Sequence, residues 1–245
     1  MALASYINWS GGKDSGLAFY HTFSNNELDV KFLLTNLSEQ HRRVTMHGVR
    51  EQLLDQQAAA IGLPIRKLFL KEPVSNIDYE EKNSELLSLI KDEGCSHGIF
   101  GDIFLEDLRQ YREAQLRKAG LQASFPLWGK DTFQLMCEFI ELGFKAIVVC
   151  VKAELLPISF TGRVIDADFL KDLPENIDPC GENGEFHSFV FDGPIFSNPV
   201  KFKIGEKFFQ EYNAPRKDFN KGDDESVVDT MGFWVCDLLP HEETI

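Results

Sequence analysis

Ser10-Gly11-Gly12-Lys13-Asp14-Ser15 follows the apolar run Ala4-Ser5-Tyr6-Ile7-Asn8-Trp9 and precedes a helical pattern with Leu17, Ala18 and Phe23 on its expected buried side. A strand, a loop with two glycines and a helix beginning near Ser15 bring several backbone N–H groups and a helix N-terminus to one point, which makes an anion site. Gly11 and Gly12 let the backbone approach a ligand, Lys13 adds a point charge, and Ser10 and Ser15 offer hydroxyls. The common G-x-x-x-x-G-K-[ST] loop is excluded, because Ile7 stands where its first glycine belongs and Asp14 follows Lys13. A glycine-rich turn that binds nothing, with Asp14 merely favoured by the helix dipole, is the alternative.

Working outward, short apolar runs alternate with helical segments, the pattern of parallel strands joined by crossover helices. Strands are expected at 30–37, 65–70, 96–100 and 146–151, giving five parallel strands with the first. Helices are expected at 49–61, closed by Gly62, at 79–93, stopped by Gly94, and at 104–119 and 131–142. Beyond Lys152 the texture turns rich in proline and glycine, with strand-like pieces at 200–204 and 227–238 and an exposed loop at 217–225. The expectation is an α/β fold with a main domain over 1–152 and a smaller, partly antiparallel domain over 153–245.

The chain has 245 residues, 43% of them hydrophobic, and a formal charge of -14. That is the composition of an ordinary soluble globular protein, and its acidic balance disfavours RNA or DNA as a partner. Cys95, Cys137, Cys150, Cys180 and Cys236 are scattered singly, without zinc spacing, and are read as reduced thiols. No leader pattern and no apolar run of about 18 residues is present, so a cytoplasmic protein without membrane contact is expected.

Three further stretches carry chemistry. Asp102 comes directly after an expected strand, at the carboxyl edge where open α/β sheets bind ligands. Glu106, Arg109, Arg112 and Glu113 follow at helical spacing, as a ligand-facing set or as a solvated face of ion pairs. Asp131 or Thr132 reads as a helix N-cap, whereas Trp128 before Gly129 lines a ligand pocket or packs in the core. The last stretch, Asp178 to Ser188, gathers Glu182, Asn183, Glu185 and His187 among glycines. It is either a hairpin with satisfied polar groups or a site that binds ammonium, an amine or Mg²⁺, or moves protons.

The order Ser-Gly-Gly-Lys-Asp-Ser resembles the pyrophosphate loop of the N-type ATP pyrophosphatases. Taken with Gly101-Asp102, Pro126 to Thr132, Gly162-Arg163 and Gly181 to Phe196, it makes nearly the whole chain similar to the diphthine-ammonia ligase family. The resemblance implies a HUP-type, Rossmann-like parallel sheet that binds ATP, followed by a smaller α+β domain. The implied activity is adenylation of a carboxylate, small or protein-borne, with release of pyrophosphate, after which ammonia displaces AMP. It implies ATP held by Ser10 to Ser15, Mg²⁺ on Asp14, chemistry by Lys13, Asp14, Asp102, Glu182, Glu185 and His187, and substrate contacts from Arg109, Trp128 and Asn183. A homodimer is compatible with it.

One departure stands out. Members that amidate diphthine usually read Gly-Glu-Gly-Gly-Glu, and here Asn183 replaces a glycine while His187 holds a later carboxylate position. The form resembles a branch whose members need not act on diphthine. Sulfur insertion into a nucleoside is a competing reading, but Cys180 has no partner cysteine nearby. A nucleotide-sensing module without turnover is another, and it leaves Glu182, Glu185 and His187 without a purpose.

Overall fold

In the computed structural model, which describes residues 2–44, 48–71, 76–213 and 230–241, the first sheet is parallel throughout. It grows from β1 (Leu3–Asn8), α1 (Lys13–Asn25), β2 (Leu28–Ser38), α2 (Glu51–Ile61) and β3 (Ile65–Leu70). The chain then crosses back through α3 (Asn76–Asp92) to β4 (His97–Ile99), α4 (Glu106–Lys118) and β5 (Gln122–Ser124). The strand order is β3-β2-β1-β4-β5, so the winding reverses between β1 and β4, the switch point where such sheets leave a crevice.

Alternation along the strands sorts the two faces. Ile7, Leu33 and Leu37 face Leu17 and Ala18 of α1 and Leu53, Leu54 and Ala58 of α2. Tyr6, Phe32 and Leu34 face the other way, onto Leu87 and Ile90 of α3 and Leu116 of α4, with the Tyr6 and Phe32 rings stacked at 5.7 Å. Helices on both faces explain why these strands read as apolar runs. Gly62 ends α2 at φ +81°, its N–H donating to Ala58 O at 2.9 Å, as its position in the sequence suggested.

The second sheet is antiparallel, in the order β7-β6-β9-β8. It comprises β6 (Lys145–Lys152), β7 (Phe186–Asp192), β8 (Phe202–Asn213) and β9 (Thr230–Pro240). Preceding it is α5 (Thr132–Glu141), which buries Leu135, Met136 and Phe139, and α6 (Ala167–Asp172) lies between β6 and β7. One hydrophobic core runs from the α1 face of the first sheet into the second, including Phe139, Phe144, Val148, Val190 and Val235.

Three sequence expectations change. The strand at 146–151 is not the fifth parallel strand: it is β6, antiparallel to β7 and β9. Six buried residues in a row look the same in either kind of central strand, so burial alone could not assign the sheet. The fifth parallel strand is β5, three residues long and too short to show a period. Phe23, expected on the buried side of α1, is 70% exposed, and Phe19 packs in its place. The loop expected at 217–225 lies outside the described residues. Among the described residues no helix is long and apolar enough to cross a membrane.

Candidate active site

The phosphate loop spans the end of β1 and the start of α1. Gly11 holds φ +78°, and a Cβ there would lie 2.7 Å from Leu54 Cδ2 and 2.9 Å from Gln57 Oε1, so the position excludes side chains on both conformational and steric grounds. The Gly11 carbonyl turns away from the helix end and accepts from Gln57 Nε2 at 3.0 Å and Val190 N at 2.9 Å. Gly12 occupies the N-cap position of α1 without a capping side chain. The first N–H groups of the helix therefore have no acceptor one turn earlier and point at the space an anion would take. Gly12 N–H reaches Ser10 Oγ at 3.2 Å, Lys13 N–H reaches Ser188 Oγ at 3.2 Å, and Ser15 Oγ donates to Gly12 O at 2.9 Å. Three serine hydroxyls thus line one turn.

Lys13 Nζ donates to both carboxylate oxygens of Asp14, at 2.8 and 2.7 Å, and lies 5.4 Å over the Phe186 ring. Burial works against the Lys13 charge, yet Asp14 beside it holds the ammonium above its ordinary range. Across the switch point, Gly101 presses against α1: a Cβ there would meet Asp14 C and O at 2.9 Å. Asp102 follows, buried, with its Oδ2 3.0 Å from Arg112 Nε. Burial pushes the Asp102 carboxyl up, the Arg112 guanidinium draws it down in part, and Asp14 pushes it up further.

The last stretch of the sequence reaches this point through Glu182, whose Oε1 accepts the Ile103 N–H at 2.7 Å. Burial raises the Glu182 carboxyl to about 7; the Ile103 N–H and Lys13 oppose that rise, while Asp14 and Asp102 add to it. Ile103 also accepts, through its carbonyl, the N–H of Gly129 at 2.8 Å. All three stretches singled out in the sequence therefore meet around the residue after Asp102. Beside them the Arg109 guanidinium lies 4.5 Å over the Trp128 ring and donates to Glu113 at 2.8 Å.

Other candidates take different places. Glu185 is buried and its Oε1 accepts from Asp178 N at 3.2 Å and from Asn183 Nδ2 at 3.1 Å, so both side chains brace their own turn. Phe186 and Ser188 of β7 face the phosphate loop, and strand alternation turns His187 between them to the opposite side of the sheet. Asp131 caps α5, accepting Gln134 N–H at 2.8 Å, which is the plain reading of that residue. Cys180 is buried with its Sγ donating to Thr132 O at 3.3 Å, and burial pushes its thiol far up.

Two residues that hold the loop escaped sequence reading. Ser188 lies three residues beyond the last glutamate of its stretch and gave no signal. Gln57 did: it sits four residues after Leu53 on the buried stripe of α2, an amide where the period calls for an apolar side chain. On the α3/α4 face of the switch point, a cavity of about 170 Å³ opens among Asn8, Asn36, Tyr79, Phe100, Tyr111 and Arg112. That slightly exceeds the ~150 Å³ of an engineered cavity that takes a benzene ring.

With this geometry in place, comparison with known proteins gives the lineage. The N-terminal domain model of diphthamide synthase matches residues 3–123 and the C-terminal domain model matches residues 131–218. A diphthine–ammonia ligase of Danio rerio is 29% identical over 213 residues, covering 78% of this chain and 83% of that protein. One of Homo sapiens is 27% identical over 223 residues, covering 82% of each. A solved U34-tRNA thiolase from Methanococcus maripaludis aligns at a TM-score of 0.35 and 16% identity over 58% of this chain and 57% of that one, too loosely to carry an argument. Two domain models matching in sequence order, the first over the parallel sheet and the second over β6, β7 and β8 of the antiparallel one, place the chain in the diphthamide synthase family.

Proposed function

We propose that this chain is an ATP-dependent ligase that activates a carboxylate as its acyl adenylate, releasing pyrophosphate, and passes the acyl group to ammonia. The observation that carries this reading is the meeting of the phosphate loop with Asp102 and Glu182 at one end of the first sheet. The relatives named diphthine–ammonia ligases support diphthine as the acceptor, and Asn183 in the turn is the reason to test other acids beside it.

The phosphates of ATP lie on the N–H groups at the start of α1, between the hydroxyls of Ser10, Ser15 and Ser188. The purine extends over the strand ends into the cavity beside Asn8, Asn36 and Phe100, whose amides and ring suit a flat heterocycle. Lys13 is already charged and buried, so it stabilises the negative charge that builds on the α-phosphate when the acceptor carboxylate attacks. The acceptor side chain lies over Trp128 and Arg109.

Asp14 is the residue that would hold Mg²⁺. It is a hard oxygen donor, half-buried at the mouth of the loop. Among the described residues no group of three or more His, Cys, Asp or Glu side chains is placed to hold a metal ion. Bound there, the ion would offset part of the negative charge of the phosphates beside Asp14. Glu182 serves in the second half-reaction: a carboxyl near 7 accepts the proton that the nitrogen sheds once ammonia has added to the acyl carbon.

Sulfur transfer is not favoured by the site, because Cys180 is held as a buried thiol rather than a thiolate. The test is to incubate the protein with ATP, Mg²⁺, ammonium and candidate acids and to separate the nucleotide products. AMP and pyrophosphate in step with amide support the proposal; ADP with every acid refutes it.

A further inference from the structure

Gln57 is fully buried, at 0% exposure, and both the oxygen and the nitrogen of its amide are hydrogen-bonded. Oε1 accepts the Trp9 indole N–H at 2.8 Å, while Nε2 donates to Gly11 O at 3.0 Å and to Val190 O at 2.6 Å. The amide orientation is unambiguous, since an indole only donates and the two backbone carbonyls only accept. One side chain on α2 therefore ties together the end of β1, the phosphate loop and strand β7 of the second sheet.

The consequence for the loop follows from peptide geometry. A trans peptide holds its C=O and the following N–H in opposite directions. Drawing the Gly11 carbonyl toward α2 therefore turns the Gly12 N–H the other way, toward the mouth of the loop and Ser10 Oγ. Gly11 at φ +78° is the residue freest to let this peptide rotate, and a rotated peptide would aim a carbonyl oxygen at the phosphates. Val190 N–H also holds the Gly11 carbonyl, but its strand is in turn fastened by Gln57 through Val190 O.

We infer that Gln57 is a positioning residue for nucleotide phosphate: it fixes the Gly11–Gly12 peptide so that the loop presents N–H groups and no carbonyl to the ligand, and it couples that orientation to strand β7. The inference rests on the proposal that the loop binds ATP. It sets Gln57 apart from residues of the hydrophobic core, because its loss should weaken phosphate binding specifically and leave the nucleoside alone.

The experiment compares binding of inorganic pyrophosphate with Mg²⁺ and binding of adenosine, by calorimetry, in the full chain and in Gln57→Glu and Trp9→Phe. Gln57→Glu keeps the shape but sets a carboxylate against two carbonyls; pyrophosphate affinity should fall at least about tenfold with adenosine affinity held within about twofold. Trp9→Phe removes the donor to Oε1 together with part of a buried ring but leaves both Nε2 bonds in place, and should stay within about threefold for both ligands. Equal loss of both ligands in Gln57→Glu, unchanged pyrophosphate binding, or a Trp9→Phe defect as large as that of Gln57→Glu overturns the inference. If the unsubstituted chain itself binds neither ATP nor pyrophosphate, it is the ATP reading that fails first. Should Gln57→Glu not fold, Gln57→Asn, which keeps the amide but draws its nitrogen back from both carbonyls, is judged by the same criteria.

Discussion

Glu182 and Ile103, 79 positions apart in the chain, are joined by a 2.7 Å hydrogen bond from the Ile103 N–H to the Glu182 carboxylate. That bond sets a carboxyl from the loop before β7 against Asp102 and the start of α1, beside the Ser188 hydroxyl that β7 itself brings to Lys13 N–H. The environment of that carboxyl gives the first testable consequence.

Burial lifts the Glu182 carboxyl from 4.5 to about 7. Between those values the folded chain holds the proton more tightly than the unfolded one, so this group's stabilising contribution is complete below the unfolded value and lost as pH rises through the folded one. For a half-buried carboxyl the effect is on the order of 1 kcal/mol after solvent screening. Without nucleotide, Glu182→Gln should equal the unsubstituted protein in urea denaturation at low pH and exceed it at pH values above about 7. A stability difference that does not grow with pH would show that the carboxyl is not held high.

Gly101 is where the second stretch touches the phosphate loop. A Cβ would stand 2.9 Å from the Asp14 backbone, which belongs to a helix and cannot yield cheaply. Gly101→Ala should cost about 1–3 kcal/mol of stability. It should also weaken ATP more than it weakens adenosine, measured by calorimetry, because the helix end that meets the phosphates is what moves.

Asp237 on β9 anchors the segment after β2: Arg43 and Arg50 bind its two oxygens at 2.7 and 2.6 Å. Despite burial, these bonds hold its carboxyl below the ordinary range. The stability they contribute is present above the unfolded value and is lost as pH falls through the folded one. Asp237→Asn should therefore cost about 1–2 kcal/mol near neutrality and little once the carboxyl is protonated, read from acid and neutral denaturation curves.

Glu185 braces the turn that carries Glu182. Glu185→Gln retains an acceptor for the Asp178 N–H and should keep turnover within about threefold, whereas Glu185→Ala frees the turn and should lower kcat about tenfold or more. Equal losses in both variants would instead assign the Glu185 charge to the chemistry.

How much of this was legible in the sequence depended on distance along the chain. Ser10 to Ser15 could be read because strand, glycines and helix start are consecutive, and Gly62 because a helix end is a local event. The parentage of β6 could not, since a strand buried on both faces has the same apolar run in a parallel or an antiparallel sheet. β5 was hidden by its brevity. Of the candidate site, Asp102 and Glu182 were named separately, but the Ile103 backbone that joins their loops has no side-chain signature. His187 was grouped with them by proximity in sequence, and the period of a strand sends it to the other face.

The most direct test of the central claim follows the fate of the α-phosphate. The protein is given ATP labelled at that position with Mg²⁺, ammonium and a diphthine-bearing acceptor, beside the Asp14→Asn variant. Label should appear in AMP, in amounts equal to the amide formed and only when acceptor is present, and Asp14→Asn should slow its release by about a hundredfold. Label recovered as ADP, or AMP formed at the same rate by Asp14→Asn, would contradict the account.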